Sequence, residues 1–230
     1  MCTVKKNLKV LLLFYLSLLL IFTACAKKID NTQKISVTKK EVVQSSTPST
    51  TTPINSSSTI AQKILVGARK DASTKPSYKS AYYSGGYPPD NEGVCTDVIW
   101  RALKEANINL KDLVDEDIRK NTSAYPRVAG KPDPNIDFRR VPNLISFFKR
   151  HGKVLTTDLS SENLNEWKGG DIVVFGKPID HIAIISDIKN EEDIPLMIHN
   201  GGPYTKEEDA LLYWHENISP IIYHFRYPKE

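Results

Sequence analysis

Gly93-Val94-Cys95-Thr96-Asp97-Val98-Ile99-Trp100 is the stretch on which the reading of this chain turns. A glycine-bearing loop runs into a helical pattern that buries Val98, Ile99, Ala102, Leu103 and Ala106, with Asn107 as its stop. Cys95 stands at the helix start, where unsatisfied backbone N–H groups favour a thiolate and where its own N–H is free to meet an oxyanion. The chain has three cysteines. Cys2 falls in an N-terminal export segment and Cys25 at its processing site, so the exported domain keeps one thiol and forms no internal disulfide. The competing role for Cys95 is that of a small buried hydrophobe.

Two apolar runs downstream each carry a histidine: Asp180-His181-Ile182-Ala183-Ile184-Ile185 and Leu196-Met197-Ile198-His199-Asn200. His181 opens one strand and His199 closes the next. An antiparallel pairing brings both to one end of a sheet, with His181 as base to the thiol and His199 fixing its tautomer. Asn200 and Asp187 are reserve orienters, and a hydrogen-bonded structural histidine is the plainer role for either ring. His151 follows Lys149-Arg150 at a helix C-terminus, where a cation complements the dipole, while His215 and His224 read as packing or surface residues. A zinc site of Cys95, His181 and His199 is the rival chemistry, weakened by the lack of any CxxC or HxxxH pair.

The N-terminus has a separate logic. Lys5, Lys6 and Lys9 head an apolar run from Val10 to Phe22, and Thr23-Ala24 lead to Cys25. The run is short of the ~20 residues a membrane span needs, so cleavage is expected. Phe22-Thr23-Ala24-Cys25 reads as a lipobox-like site that lipidates Cys25 and anchors the protein on the extracytoplasmic side. Ala24-Cys25-Ala26 as an ordinary signal-peptidase site, giving a secreted or periplasmic protein, is the alternative. Residues 26–59 form a Ser/Thr/Pro-rich tether with little to bury, predicted to stay extended. Loss of the leader removes three lysines and no acids, taking the formal charge from +4 to +1. That balance, with no basic stripe, argues against nucleic acid as partner.

Residues 60–230 are long enough for one domain with a real core, predicted to be a monomer. Helices are predicted over Ile60–Arg69, from Cys95, over Leu110–Ile118, and from Pro142 to Arg150; Lys75 to Asn91 and Asn121 to Asp137 read as loops. Strands follow at Asp171–Phe175, His181–Asp187, Leu196–His199 and Ile221–Tyr227. Helices followed by an antiparallel sheet define an α+β fold, with the thiol helix packed across a small sheet or half-barrel.

Taken in order, Gly93-Val94-Cys95-Thr96-Asp97, Trp167-Lys168-Gly169-Gly170-Asp171-Ile172-Val173-Val174-Phe175, His181-Ile182-Ala183-Ile184-Ile185 and Ile198-His199-Asn200 resemble the motifs of NlpC-type cell-wall cysteine peptidases. A closer resemblance is to the bacterial family catalogued as domain of unknown function 1287. It rests on Gly-Gly-Tyr-Pro-Pro-Asp (85–90), Gly-Val-Cys-Thr-Asp-Val (93–98), Pro-Asp-Pro-Asn-Ile-Asp-Phe-Arg-Arg-Val-Pro-Asn-Leu (132–144) and His-Asn-Gly-Gly (199–202). The resemblance implies a papain-like fold with Cys95 as nucleophile, His181 as base, His199 as third polar residue, and Tyr83 with its phenol by the oxyanion. Val94 departs from the acidic residue usual before the cysteine, Thr96 replaces serine, and the insert over 108–166 has no counterpart in minimal NlpC domains. Asp171 heads its strand as a supporting hydrogen-bond acceptor. Arg139 and Arg140 are candidates to hold a substrate carboxylate, against a plainer role bracing their loop. The expectation is an exported thiol hydrolase cleaving an amide, with cell-wall peptide as substrate and no cofactor. A non-catalytic envelope lipoprotein binding peptide or a partner protein, and an acyltransferase on the same fold, are the alternatives.

Overall fold

The computed structural model describes residues 59–128 and 130–229. The export segment of 1–25, with Cys25, and the tether up to residue 58 lie outside the described residues. Helix α1 (Ile60–Thr74) starts at Thr59, whose side chain accepts the Gln62 N–H while the Gln62 side chain accepts the Thr59 N–H, a reciprocal cap. The apolar spacing of Ile64, Leu65 and Ala68 turns one face of α1 toward α2 (Cys95–Glu105). Gly67 sits at their closest approach: a Cβ there would stand 2.7 Å from Glu105 Cβ and 2.8 Å from the Ala102 carbonyl oxygen.

Helices α3 (Leu110–Lys120) and α4 (Val141–His151) complete the helical layer. Pro142 lies in the first turn of α4, where a missing N–H costs nothing. Between them Asp117 ties the layer together, accepting from Arg150 Nε at 2.7 Å and from the Tyr125 hydroxyl at 2.5 Å.

The six-stranded antiparallel sheet has the order β3-β8-β4-β5-β6-β7, from strands Lys153–Leu155 (β3), Ile172–Phe175 (β4), His181–Lys189 (β5), Pro195–His199 (β6), Lys206–Glu208 (β7) and Ile221–Arg226 (β8). Side chains alternate between two cores. Ile172, Val174, Ile182, Ile184 and Ile198 join the helical layer, whereas Val173, Phe175, Ala183, Ile185 and Met197 pack with Leu164, Trp167 and Leu211 on the other side. Burial of both faces explains why β4 and β5 read as unbroken apolar runs rather than alternating ones. Leu211 belongs to α5 (Leu211–Asn217), a short helix over the second face.

The architecture is thus α+β, as the element order predicts. Four features differ from the prediction. β3, β7 and α5 were not expected: the first two are three-residue edge strands and the third a two-turn helix, too short for periodicity to register. The Lys75–Asn91 loop contains Ser77–Tyr78 (β1), which pairs in parallel with Glu92–Gly93 (β2). Among the described residues, no helix is long and apolar enough to cross a membrane.

Candidate active site

Cys95 is the first residue of α2, preceded by Val94 in extended conformation. Asp97 closes the helix start by accepting the Val94 N–H at 2.8 Å. Its oxygens also take Trp100 Nε1–H at 2.8 Å and a two-pronged bond from Arg139, at 2.7 and 2.8 Å. Both side chains of this ion pair are shut off from solvent. Arg139 further donates to the Ala81 carbonyl, and its own carbonyl accepts the Thr96 hydroxyl. Arg139 therefore fastens its segment to the start of α2.

Cys95 is buried, with 9% of the residue's surface exposed. Burial pushes its thiol up to about 12; the Ile182 N–H, which bonds the sulfur, and the amides of Thr96 and Cys95 pull the other way, while the Asp97 charge adds to the rise. This corrects the expectation of a thiolate at a helix start: burial outweighs the helix-end amides, and the resting group is a neutral thiol.

His181 opens β5 opposite Phe175, and His199 closes β6. The antiparallel pairing of β5 with β6 puts them at one end of the sheet. His181 Nε2 lies 2.8 Å from His199 Nδ1, and His199 Nε2 lies 2.7 Å from Glu208 Oε1 on β7. Lys206 Nζ meets the other Glu208 oxygen at 2.8 Å. The His199 hydrogen bond holds Glu208 down to about 2, so its carboxylate is ionised. Burial, then the neighbouring His199, drives His181 well below the ordinary imidazole value, so its ring is neutral. Trp214 from α5 stacks on that ring, centroids 4.3 Å apart and planes at 22°. Gly201 packs closely beside them: a Cβ there would stand 3.0 Å from the Trp214 ring and 3.1 Å from His199 Cε1. The sulfur reaches β5 at the Ile182 amide, one residue past His181; ring and sulfur are not hydrogen-bonded to each other among the described residues.

Tyr78, on β1, interacts electrostatically with Cys95. Partial burial, then the Cys95 charge, raises Tyr78, so it stays protonated and able to donate. Its backbone is fastened by its N–H to the Pro203 carbonyl at 2.8 Å. Asn200 braces the same segment, donating to the Pro76 carbonyl at 3.1 Å and to that of Gly93 at 3.4 Å. Tyr83 instead donates to Glu92 at 2.8 Å, with its ring under the Arg139 guanidinium.

The remaining sequence candidates are engaged elsewhere. Arg139 is committed to Asp97 and cannot reach out to a substrate. Arg140 donates to the Arg127 carbonyl and to Asp137, bracing its loop. Asp171 lies at the end of β4 away from Phe175 and His181, about 13 Å along the strand by its rise per residue. It accepts from Arg226, His224 and the Lys168 amide, a structural clamp on β8. His224 is buried, stacked on Trp167 with centroids 3.9 Å apart, and is a core residue. Asp187 pairs with Arg69 on α1, away from the histidines. Among the described residues, no three His, Cys, Asp or Glu side chains are grouped to hold a metal ion. Reading the sequence misses Tyr78, Trp214 and Glu208. Glu208 sits in Lys206-Glu207-Glu208-Asp209, which looks like a solvated charge run.

A mixed α+β domain with a buried thiol at a helix start, beside a His–His–Glu chain at one sheet end, is the class that fold and site define. Residues 65–227 match the family model described as a domain of unknown function, DUF1287, and the chain belongs to that family. Its relative in Escherichia coli (strain K12), uncharacterized protein YijF, is 38% identical over 188 residues, spanning 78% of this chain and 87% of the relative.

Proposed function

We propose that this protein is a thiol hydrolase of NlpC type that cleaves an amide bond through an acyl-enzyme on Cys95. The observation that carries the reading is the meeting of Cys95 with the strand that His181 opens, at the residue after a ring tethered through Nε2 to His199. Cys95 and His181 both rest neutral, so the thiolate forms during attack rather than beforehand. Substrate closes the gap between sulfur and ring, as catalytic hydrogen bonds left loose in an unliganded site tighten on binding. His181 takes the Sγ proton as sulfur adds to the carbonyl carbon. The Cys95 N–H and the Tyr78 hydroxyl donate to the resulting oxyanion. The C–N bond then breaks, the leaving nitrogen receives the proton from His181, and a thioester remains. Water, deprotonated by the same ring, hydrolyses that thioester and restores the thiol.

The leader and tether support export, with Cys25 as lipid anchor and cell-wall peptide as the polymer within reach. Release of peptide fragments from purified wall tests the chemistry. Cys95→Ala, or wild type treated with iodoacetamide, is expected to release none; equal release by Cys95→Ala discards the hydrolase. Cys25→Ala is expected to move the protein from the membrane fraction to the soluble one, and an unchanged membrane fraction discards the anchor.

A further inference from the structure

We infer that Glu208 is a positioning residue that selects, through two imidazole rings, the nitrogen of His181 that receives the thiol proton. The inference rests on the reading of Cys95 and His181 as nucleophile and base.

A carboxylate only accepts hydrogen bonds. Glu208 is ionised, and its second oxygen is occupied by Lys206. His199 Nε2, 2.7 Å from Glu208 Oε1, must therefore carry its proton toward the glutamate. When His199 carries that one proton alone, its Nδ1 is bare and only accepts. That nitrogen lies 2.8 Å from His181 Nε2, so the proton between the rings belongs to His181. His181 is neutral, and with Nε2 protonated its one lone pair sits on Nδ1, the nitrogen left for the sulfur. Reversing the donor at Glu208 reverses each link: His199 Nδ1 becomes the donor, His181 Nε2 the acceptor, and Nδ1 arrives already protonated and useless as a base. Both histidines are buried, so water does not scramble the order. The groups facing this chain are Lys206 on Glu208, with Trp214 flanking both rings. Glu207, next in sequence, points to the opposite face and pairs with Arg69, as strand alternation requires.

The full chain labelled with ¹⁵N-histidine reports the tautomers directly by two-bond ¹H–¹⁵N correlation at pH 8, above the ordinary imidazole range of about 6.5. The wild type is expected to show protonated Nε2 and bare Nδ1 on both His181 and His199. Glu208→Gln offers an amide that donates as well as accepts, and is expected to bring the Nδ1–H form of His181 into view. In fragment release the same variant is expected to lose at least ~10-fold in kcat with KM within about 2-fold. A wild-type His181 bearing Nδ1–H, or a pattern unmoved in Glu208→Gln, overturns the assignment, and the wild-type spectrum decides alone if the variant does not fold. Equal release by Cys95→Ala overturns the hydrolase reading instead and leaves the nitrogen pattern to judge Glu208.

Discussion

Burial holds the thiol of Cys95 and the ring of His181 neutral where a thiolate was the sequence expectation, and the difference is measurable at single residues. With burial holding the Cys95 thiol near 12, alkylation by iodoacetamide is expected to climb about 10-fold per pH unit between pH 6 and 8, because only the thiolate reacts. A rate already level at pH 6 means an ion pair exists at rest. His181 makes an independent prediction about stability. The unfolded chain protonates this histidine near its ordinary pKa of about 6.5, whereas the folded ring resists protonation. The unfolded state then binds more protons below that pH, so stability is full above it and declines as pH falls. The urea midpoint is expected to drop between pH 8 and pH 5, with a smaller drop in His181→Gln. Glu208 does not enter that window, since its loss of stability belongs between its ordinary carboxylate range and about 2. Cys95 and both histidines were legible because a thiol at a helix start and histidines at strand ends leave local traces. The interactions of Tyr78 and Glu208 were not, because they are made with segments remote in sequence.

At the scale of elements, the sealed pair of Asp97 and Arg139 joins the thiol helix to the insert. Arg139→Met is expected to cost about 3–5 kcal/mol in urea unfolding, since it strands a buried carboxylate. Adding Asp97→Asn is expected to cost less than the sum of the two single changes; a strictly additive double variant shows that the residues act separately. Residues 108–166 gain a physical purpose from this pair: they hold the helix start on which Cys95 stands. Sequence patterning located α1 to α4 and β4 to β8 apart from β7, because each has a cap or an apolar period of its own. It passed over β3, β7 and α5. β7 carries only polar residues, Lys206-Glu207-Glu208, and becomes a strand because the neighbouring edge of β6 offers unpaired backbone groups.

For the domain as a whole, one sheet lies between two apolar layers, so neither layer has a core without it. Unfolding is expected to be a single step. Trp100 reports the helical layer and Trp167 and Trp214 the opposite one. In Trp100→Phe, the remaining fluorescence is expected to change at the same urea concentration as the far-UV circular dichroism, and separated transitions show two independent units. Belonging to DUF1287 supplies a family without a stated activity, so the case for chemistry rests on the geometry around Cys95. By itself, the sequence determined the α+β order, the place of Cys95 at a helix start and those of His181 and His199 at strand ends, since these follow from the apolar patterning and turn residues of each segment. The tertiary structure alone decided that burial raises the thiol, that Tyr83 donates to Glu92, that Arg139 turns inward, and that a glutamate on an edge strand ends the histidine chain. Burial and hydrogen-bond partners are set by which segments meet across the sheet, and spacing along the chain does not encode that meeting.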